Sequence, residues 1–88
     1  MMKIKDGFIL REVAGNFIVV AVGSAVKQFN GVITLNETGS FLWKQLENGC
    51  TEEQLKAALL EEYEVDEQVA EADIKAFIEK LNGAGLLK

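Results

Sequence analysis

A chain of 88 residues has room for one core and hides only about 60–65% of its unfolded surface on folding, so residues 1–88 read as a single domain. At 49% hydrophobic and 26% charged the composition is globular rather than disordered, and no apolar run nears the roughly twenty residues that cross a bilayer. Histidine is absent and cysteine occurs once, which excludes imidazole catalysis, paired-cysteine redox chemistry and a Cys/His metal centre within one chain, while nine basic against fourteen acidic residues, net -5, repel a phosphate backbone.

Two extended segments come first. Phe8–Val13 and Phe17–Val22 flank Ala14-Gly15-Asn16, where Gly15-Asn16 suits the positive φ angles of a tight hairpin. With those two as loop residues, Ile9, Arg11 and Val13 share a face with Ile18, Val20 and Val22, and Phe8 and Leu10 share the other with Phe17, Val19 and Ala21. Both faces are apolar, so cover is expected on each side, from helices, a symmetry mate or a partner. The connector Gly23–Gly31 ends in the turn signal Asn30-Gly31, after which Val32-Ile33-Thr34-Leu35 reads as a short third strand.

Three helices follow. Asn36 caps the first, with Glu37 favourable at the positive end of its dipole; Leu42 and Leu46 stack at i,i+4, and Asn48-Gly49 ends it. Thr51-Glu52-Glu53-Gln54 fits a capping box for the second, where Leu55, Leu59 and Tyr63 recur every four residues. Asp66 caps the third, with Ala70, Ile74, Phe77 and Leu81 on one stripe before Gly83 and Gly85. The order is α+β: a three-stranded antiparallel sheet followed by a tri-helical cluster of the winged helix-turn-helix type.

The ordered set Leu35-Asn36-Glu37-Thr38-Gly39, Leu42-Trp43, Leu46, Gly49, Thr51, Leu55, Leu59, Tyr63, Val65, Asp73, Phe77, Leu81 and Gly85-Leu86-Leu87 resembles the PqqD family, named for a small protein of pyrroloquinoline quinone biosynthesis. The resemblance runs from about Phe8 to Leu87, and the segment Asn36 to Trp43 is its most specific part. It implies a RiPP recognition element, a winged-helix-like domain that captures the leader of a ribosomally made precursor peptide and presents it to a modifying enzyme, frequently a radical S-adenosylmethionine (SAM) enzyme with a SPASM extension. It also implies that the leader adds as a strand beside the third strand, in a groove walled by the third helix. The chain departs from the family in having no proline near the end of the second strand, where it carries Ala21-Val22-Gly23; this leaves the path of the connector open.

Residue physics fits that arrangement. A short strand between a turn and a helix can leave one row of N–H and C=O groups free for another extended chain. The expected binding residues are therefore Val32, Ile33, Thr34 and Leu35 of the strand. If Ala70, Ile74, Phe77 and Leu81 face the core, the 100° step per residue puts Val69, Asp73, Ala76 and Lys80 on one adjacent flank, the expected groove wall. The opposite flank, Ile78 with Glu71 and Lys75, competes with it. Bland readings stand beside these: Val69 as ordinary partial burial, Asp73 and Lys80 as solvated charges, Trp43 as core rather than a partner anchor.

Cys50, one residue before a helix cap, has either some thiolate character or no role beyond space-filling. The pairs Glu52-Glu53 and Glu61-Glu62 read as solvent-facing rather than catalytic. The expectation is a cytoplasmic, non-enzymatic adaptor without cofactor or metal. Its expected partners are a precursor leader and a radical SAM/SPASM maturase, with no nucleic acid, no membrane, and a homodimer through the free edge as an accompanying state. The alternatives are a winged-helix DNA-binding regulator, opposed by the five acidic residues against two lysines between Asp66 and Asn82, and a purely self-associating structural domain.

Overall fold

The computed structural model describes residues 1–27 and 31–88. Its elements are β1 (Phe8–Val13), β2 (Asn16–Ala21), a 3-10 turn (Gly23–Lys27), β3 (Ile33–Leu35), α1 (Glu37–Glu47), α2 (Glu52–Glu62) and α3 (Glu67–Gly83). The strands form an antiparallel sheet in the order β1-β2-β3. The α+β order expected from the sequence is the one observed. The Asn30-Gly31 turn expectation falls on a pair of which only Gly31 lies within the described residues.

The hairpin departs from expectation by one loop position. Ala14 (φ 52°) and Gly15 (φ 81°) form the turn, and Val13 pairs with Asn16, Arg11 with Ile18 and Ile9 with Val20. Two consecutive positive φ angles are what a two-residue hairpin needs to match the strand twist. Moving the loop by one residue shifts the pairing by two, which leaves every side chain on its expected face. Phe8, Leu10, Phe17 and Val19 accordingly lie on the core side, while Ile9, Ile18 and Val20 stay half-buried on the other. Val22 is not part of β2; its N–H donates to the Gly7 carbonyl at 2.7 Å. Alanine in the left-handed region costs about 1–2 kcal/mol. Ala14→Asn, which gives the favoured Asn-Gly turn, is expected to raise stability by about 1 kcal/mol in a urea titration.

The caps form where the sequence places two of them. The Asn36 side chain accepts from the Gly39 N–H at 2.7 Å. Thr51 and Gln54 bond reciprocally, at 3.1 and 2.8 Å. Asp66 holds the N-cap position of α3 but its side chain makes no cap bond; its carbonyl accepts from the Ala70 N–H, as the cap carbonyls of α1 and α2 accept from Ser40 and Leu55.

The core joins the inner sheet face to all three helices through Val19, Leu35, Leu42, Trp43, Leu46, Leu55, Leu59, Ile74 and Leu81. Trp43 is fully buried, so it packs rather than anchors a partner. One tie has no periodic signature in the sequence. Residues 2–5 lie between the α1–α2 joint and the C-terminus: Met2 and Cys50 exchange backbone bonds at 2.7 and 2.9 Å, Lys5 donates to Leu86 at 2.8 Å, and Lys88 donates to Lys3 at 2.8 Å. Ile4 is buried there.

Candidate functional site

Because β2 lies between its neighbours, β3 is an edge strand. Its pairing with β2 runs Phe17 to Leu35, Ile18 to Thr34 and Val19 to Ile33. Along an antiparallel strand the N–H and C=O of one residue point the same way and those of the next point oppositely. The Lys80 Nζ, reaching from α3, donates to the Thr34 carbonyl at 3.4 Å, which puts the polar groups of Thr34 on the side away from β2. Ile33 and Leu35 then bond β2, and the main-chain pair of Thr34 faces outward, unpaired with another strand.

Beside that edge lies an open groove of about 470 Å³, within the range of ligand-binding clefts. Leu35, Leu42 and Phe77 supply its apolar part and Asp73, Ala76 and Lys80 line it from α3; Thr34, Asn36, Thr38 and Gly39 complete it from the β3–α1 junction. The junction is tight for a reason. The Asn36 cap turns the chain from β3 into α1, and a Cβ on Gly39 would come to 3.1 Å from the Asn36 Oδ1 and 3.3 Å from the Leu35 Cβ. Glycine thus lets the start of α1 lie close against the strand.

Of the sequence-expected residues, the structure brings Thr34, Leu35, Asp73, Ala76 and Lys80 together in this groove. Val32 precedes β3 and is 60% exposed, outside the lining. Ile33 is half-buried against the core. Val69, 47% exposed, shares the α3 flank but sits a turn too far toward the N-terminus, against Glu64, Val65 and Asp66 in a separate hollow. Asn36, Thr38, Gly39, Leu42 and Phe77 were not among the expected wall residues. Asn36 signals a cap and Leu42 and Phe77 a core stripe, while Thr38 and Gly39 stand out only in the segment that carries the family resemblance. The competing α3 flank faces α2: Glu71 pairs with Lys56 at 2.7 Å, Lys56 also bonds Glu67, and Lys75 borders the same hollow. The hydrogen bonds to Glu67 and Glu71 hold the Lys56 ammonium above its usual range, and Lys56 holds the Glu71 carboxyl below its own. Lys56, Glu67 and Glu71 thus tie α2 to α3.

Catalytic features are thin among the described residues. Among the described residues no group of three or more His, Cys, Asp or Glu side chains is placed to hold a metal, and no helix is long and apolar enough to cross a membrane. Cys50 is buried, and burial pushes its thiol up. The thiolate character weighed from its place before a helix cap is therefore opposed by desolvation. A disulfide reagent at pH 8 is expected to label native Cys50 at least about tenfold more slowly than the urea-unfolded chain.

The class this geometry defines is a small α+β domain whose edge strand β3 borders a helix-walled groove. The model of the PqqD family, described as coenzyme PQQ synthesis protein D, matches residues 9–87, and the chain belongs to that family. It is similar to a solved structure of TbiB1 in complex with the TbiA(beta) leader peptide, at 26% identity and a TM-score of 0.77, covering 98% of this chain and 94% of that one. A lasso peptide synthetase B1 complexed with the leader peptide has the same fold, with a TM-score of 0.75 at 21% identity and coverage of 99% and 96%. No curated protein sequence matches the chain.

Proposed function

We propose that this protein is a RiPP recognition element: a non-catalytic adaptor that binds the leader of a ribosomally made precursor peptide as a fourth strand on β3 and presents it to a modifying enzyme. The observation that carries this is the main-chain pair of Thr34, turned away from β2 and beside the α3 groove, with its carbonyl met only by the Lys80 side chain among the described residues. Added support comes from membership of the PqqD family and from the similarity to TbiB1, whose structure holds a leader peptide. Strand addition supplies affinity through backbone bonds and specificity through the side chains that alternate into the groove. The site residues are Thr34 and Leu35 on the strand and Asp73, Ala76 and Lys80 on the wall; Val32 precedes the paired strand, Ile33 bonds β2, and Val69 lies beyond the groove. The partner enzyme is read as a radical SAM/SPASM maturase in the cytoplasm, on the resemblance carried by Asn36 to Trp43. With one cysteine, the chain cannot by itself supply the three thiolates of such an enzyme's cluster, so chemistry belongs to the partner.

Ala76 tests this directly. It is exposed on the groove wall, so Ala76→Trp is expected to leave stability within about 0.5 kcal/mol while filling the space a guest side chain needs. In calorimetric titration with a leader from a precursor reading frame beside the gene, the variant is expected to bind at least about tenfold more weakly. Unchanged affinity would move the site elsewhere. The open edge also favours a second state, a homodimer through β3. Sedimentation with and without leader reads whether guest and second copy compete.

A further inference from the structure

The only side-chain hydrogen bond of Lys80 among the described residues is the one to the Thr34 carbonyl, and no ion pair there includes it. One turn along α3 in either direction, its neighbours are Ala76, Phe77, Gly83 and Ala84, so no carboxylate stands at the i±3 or i±4 positions where helical ion pairs form. Asp73 is two turns away, about 10 Å along the axis. A strand pairing with β3 needs the Thr34 carbonyl for its own N–H. The carbonyl's second lone pair leaves the lysine beside the guest strand, and this chain offers it no helical carboxylate.

We propose that Lys80 is a specificity-determining residue that selects an acidic side chain in the guest strand. The inference rests on the strand-addition reading and adds the chemistry of the ligand to it. Ladder geometry fixes where that side chain belongs. The guest residue opposite Thr34 places its side chain on the solvent side with that of Thr34, which is exposed, whereas its two neighbours in the guest point to the side of buried Leu35. Those neighbours are about 7 Å apart. One lies over the Leu42, Phe77 and Ala76 surface and takes an apolar side chain; the other lies at the Lys80 end and takes Asp or Glu. The Lys80 ammonium, exposed beside the strand edge, meets the guest carboxylate in a charge-assisted contact that salt weakens. Asp73 disfavours a second anion at its own position, so the guest's acidic side chain is confined to one place in the register.

Selection from a phage-displayed library of random 14-residue peptides on the full chain tests this, with amide spectra of the enriched peptides as an independent readout of where they bind. Enriched sequences are expected to share Asp or Glu two positions from an apolar residue. Selection on Lys80→Glu is expected to exchange that acid for Lys or Arg at the same place. Lys80→Ala is expected to weaken the best acidic peptide roughly three- to tenfold, a loss that shrinks in 1 M salt. Enriched peptides that shift Thr34 yet show no acidic preference, or keep it on Lys80→Glu, overturn the inference and leave strand addition standing. Peptides that bind without shifting Thr34, or a library with no enriched sequence, overturn strand addition itself and the role of Lys80 with it.

Discussion

Thr34→Pro is expected to fold and to lose leader binding by ten- to a hundredfold. Proline removes the N–H of residue 34 and is tolerated in a sheet only where that N–H faces away from the neighbouring strand. Thr34 meets the condition, since its carbonyl, on the same side as its N–H, is reached by Lys80 rather than by β2. Ile33 already has the extended backbone that a residue before proline prefers. The sheet keeps its β2–β3 bonds through Ile33 and Leu35, so the melting temperature is expected to stay within about 4 °C of the parent. The guest loses a donor and has a carbonyl stranded against the strand edge, a combined cost of about 1.5–3 kcal/mol, and each 1.4 kcal/mol is tenfold in affinity. Thr34→Val keeps the N–H and is expected to bind as the parent does. Titration calorimetry with a leader peptide, alongside thermal melts, separates the two variants.

The second large effect concerns the core that holds the groove in place. Trp43 has no exposed surface, and its Nε1 has no hydrogen-bond partner among the described residues, so its contribution is packing. Trp43→Ala is expected to cost about 3–5 kcal/mol. At about 0.05–0.15 kcal/mol per residue, a chain of 88 residues has a total of roughly 4–13 kcal/mol to lose it from. A large unfolded fraction at 37 °C is the expected result, measured by urea unfolding followed by circular dichroism. Trp43→Phe keeps most of the ring volume and removes the unpaired N–H, and is expected to cost less than half as much. Equal losses for the two variants would mean that the indole nitrogen makes a bond after all, through water.

How far the sequence carried this structure depended on the kind of signal each residue gives. Periodicity and caps are local. The Leu55–Leu59 spacing, the Asn36 and Thr51 caps and the Ala70–Leu81 stripe appear in the structure where the sequence puts them. The two faces of the hairpin were also legible even though the turn residues were not, because alternation survives a register shift of two. Ala14 was missed as a turn residue because alanine carries no preference for positive φ, and the glycine beside it matched two turns equally well. The packing of Ile4 had no local signature at all: it depends on backbone bonds from residues 2–5 to Leu46, Cys50 and Leu86, which lie far away in sequence. In the candidate site, helical geometry placed Asp73, Ala76 and Lys80 on one flank but could not say where along α3 the groove ends. Val69 shares that flank and so falls within the expectation, whereas Asn36 and Leu42 carry only the signals of a cap and a core residue.

Hydrogen exchange at the Thr34 amide, followed residue by residue with and without a leader peptide at saturating concentration, most directly separates strand addition from any other mode of binding. In the free protein the Thr34 N–H should exchange fast while Ile33 and Leu35, bonded to β2, exchange slowly; saturation with leader should slow Thr34 by at least about tenfold and change its two neighbours little. A leader that binds and yet leaves Thr34 exchanging at its free rate, with protection arising on some other surface, would contradict a fourth strand on β3.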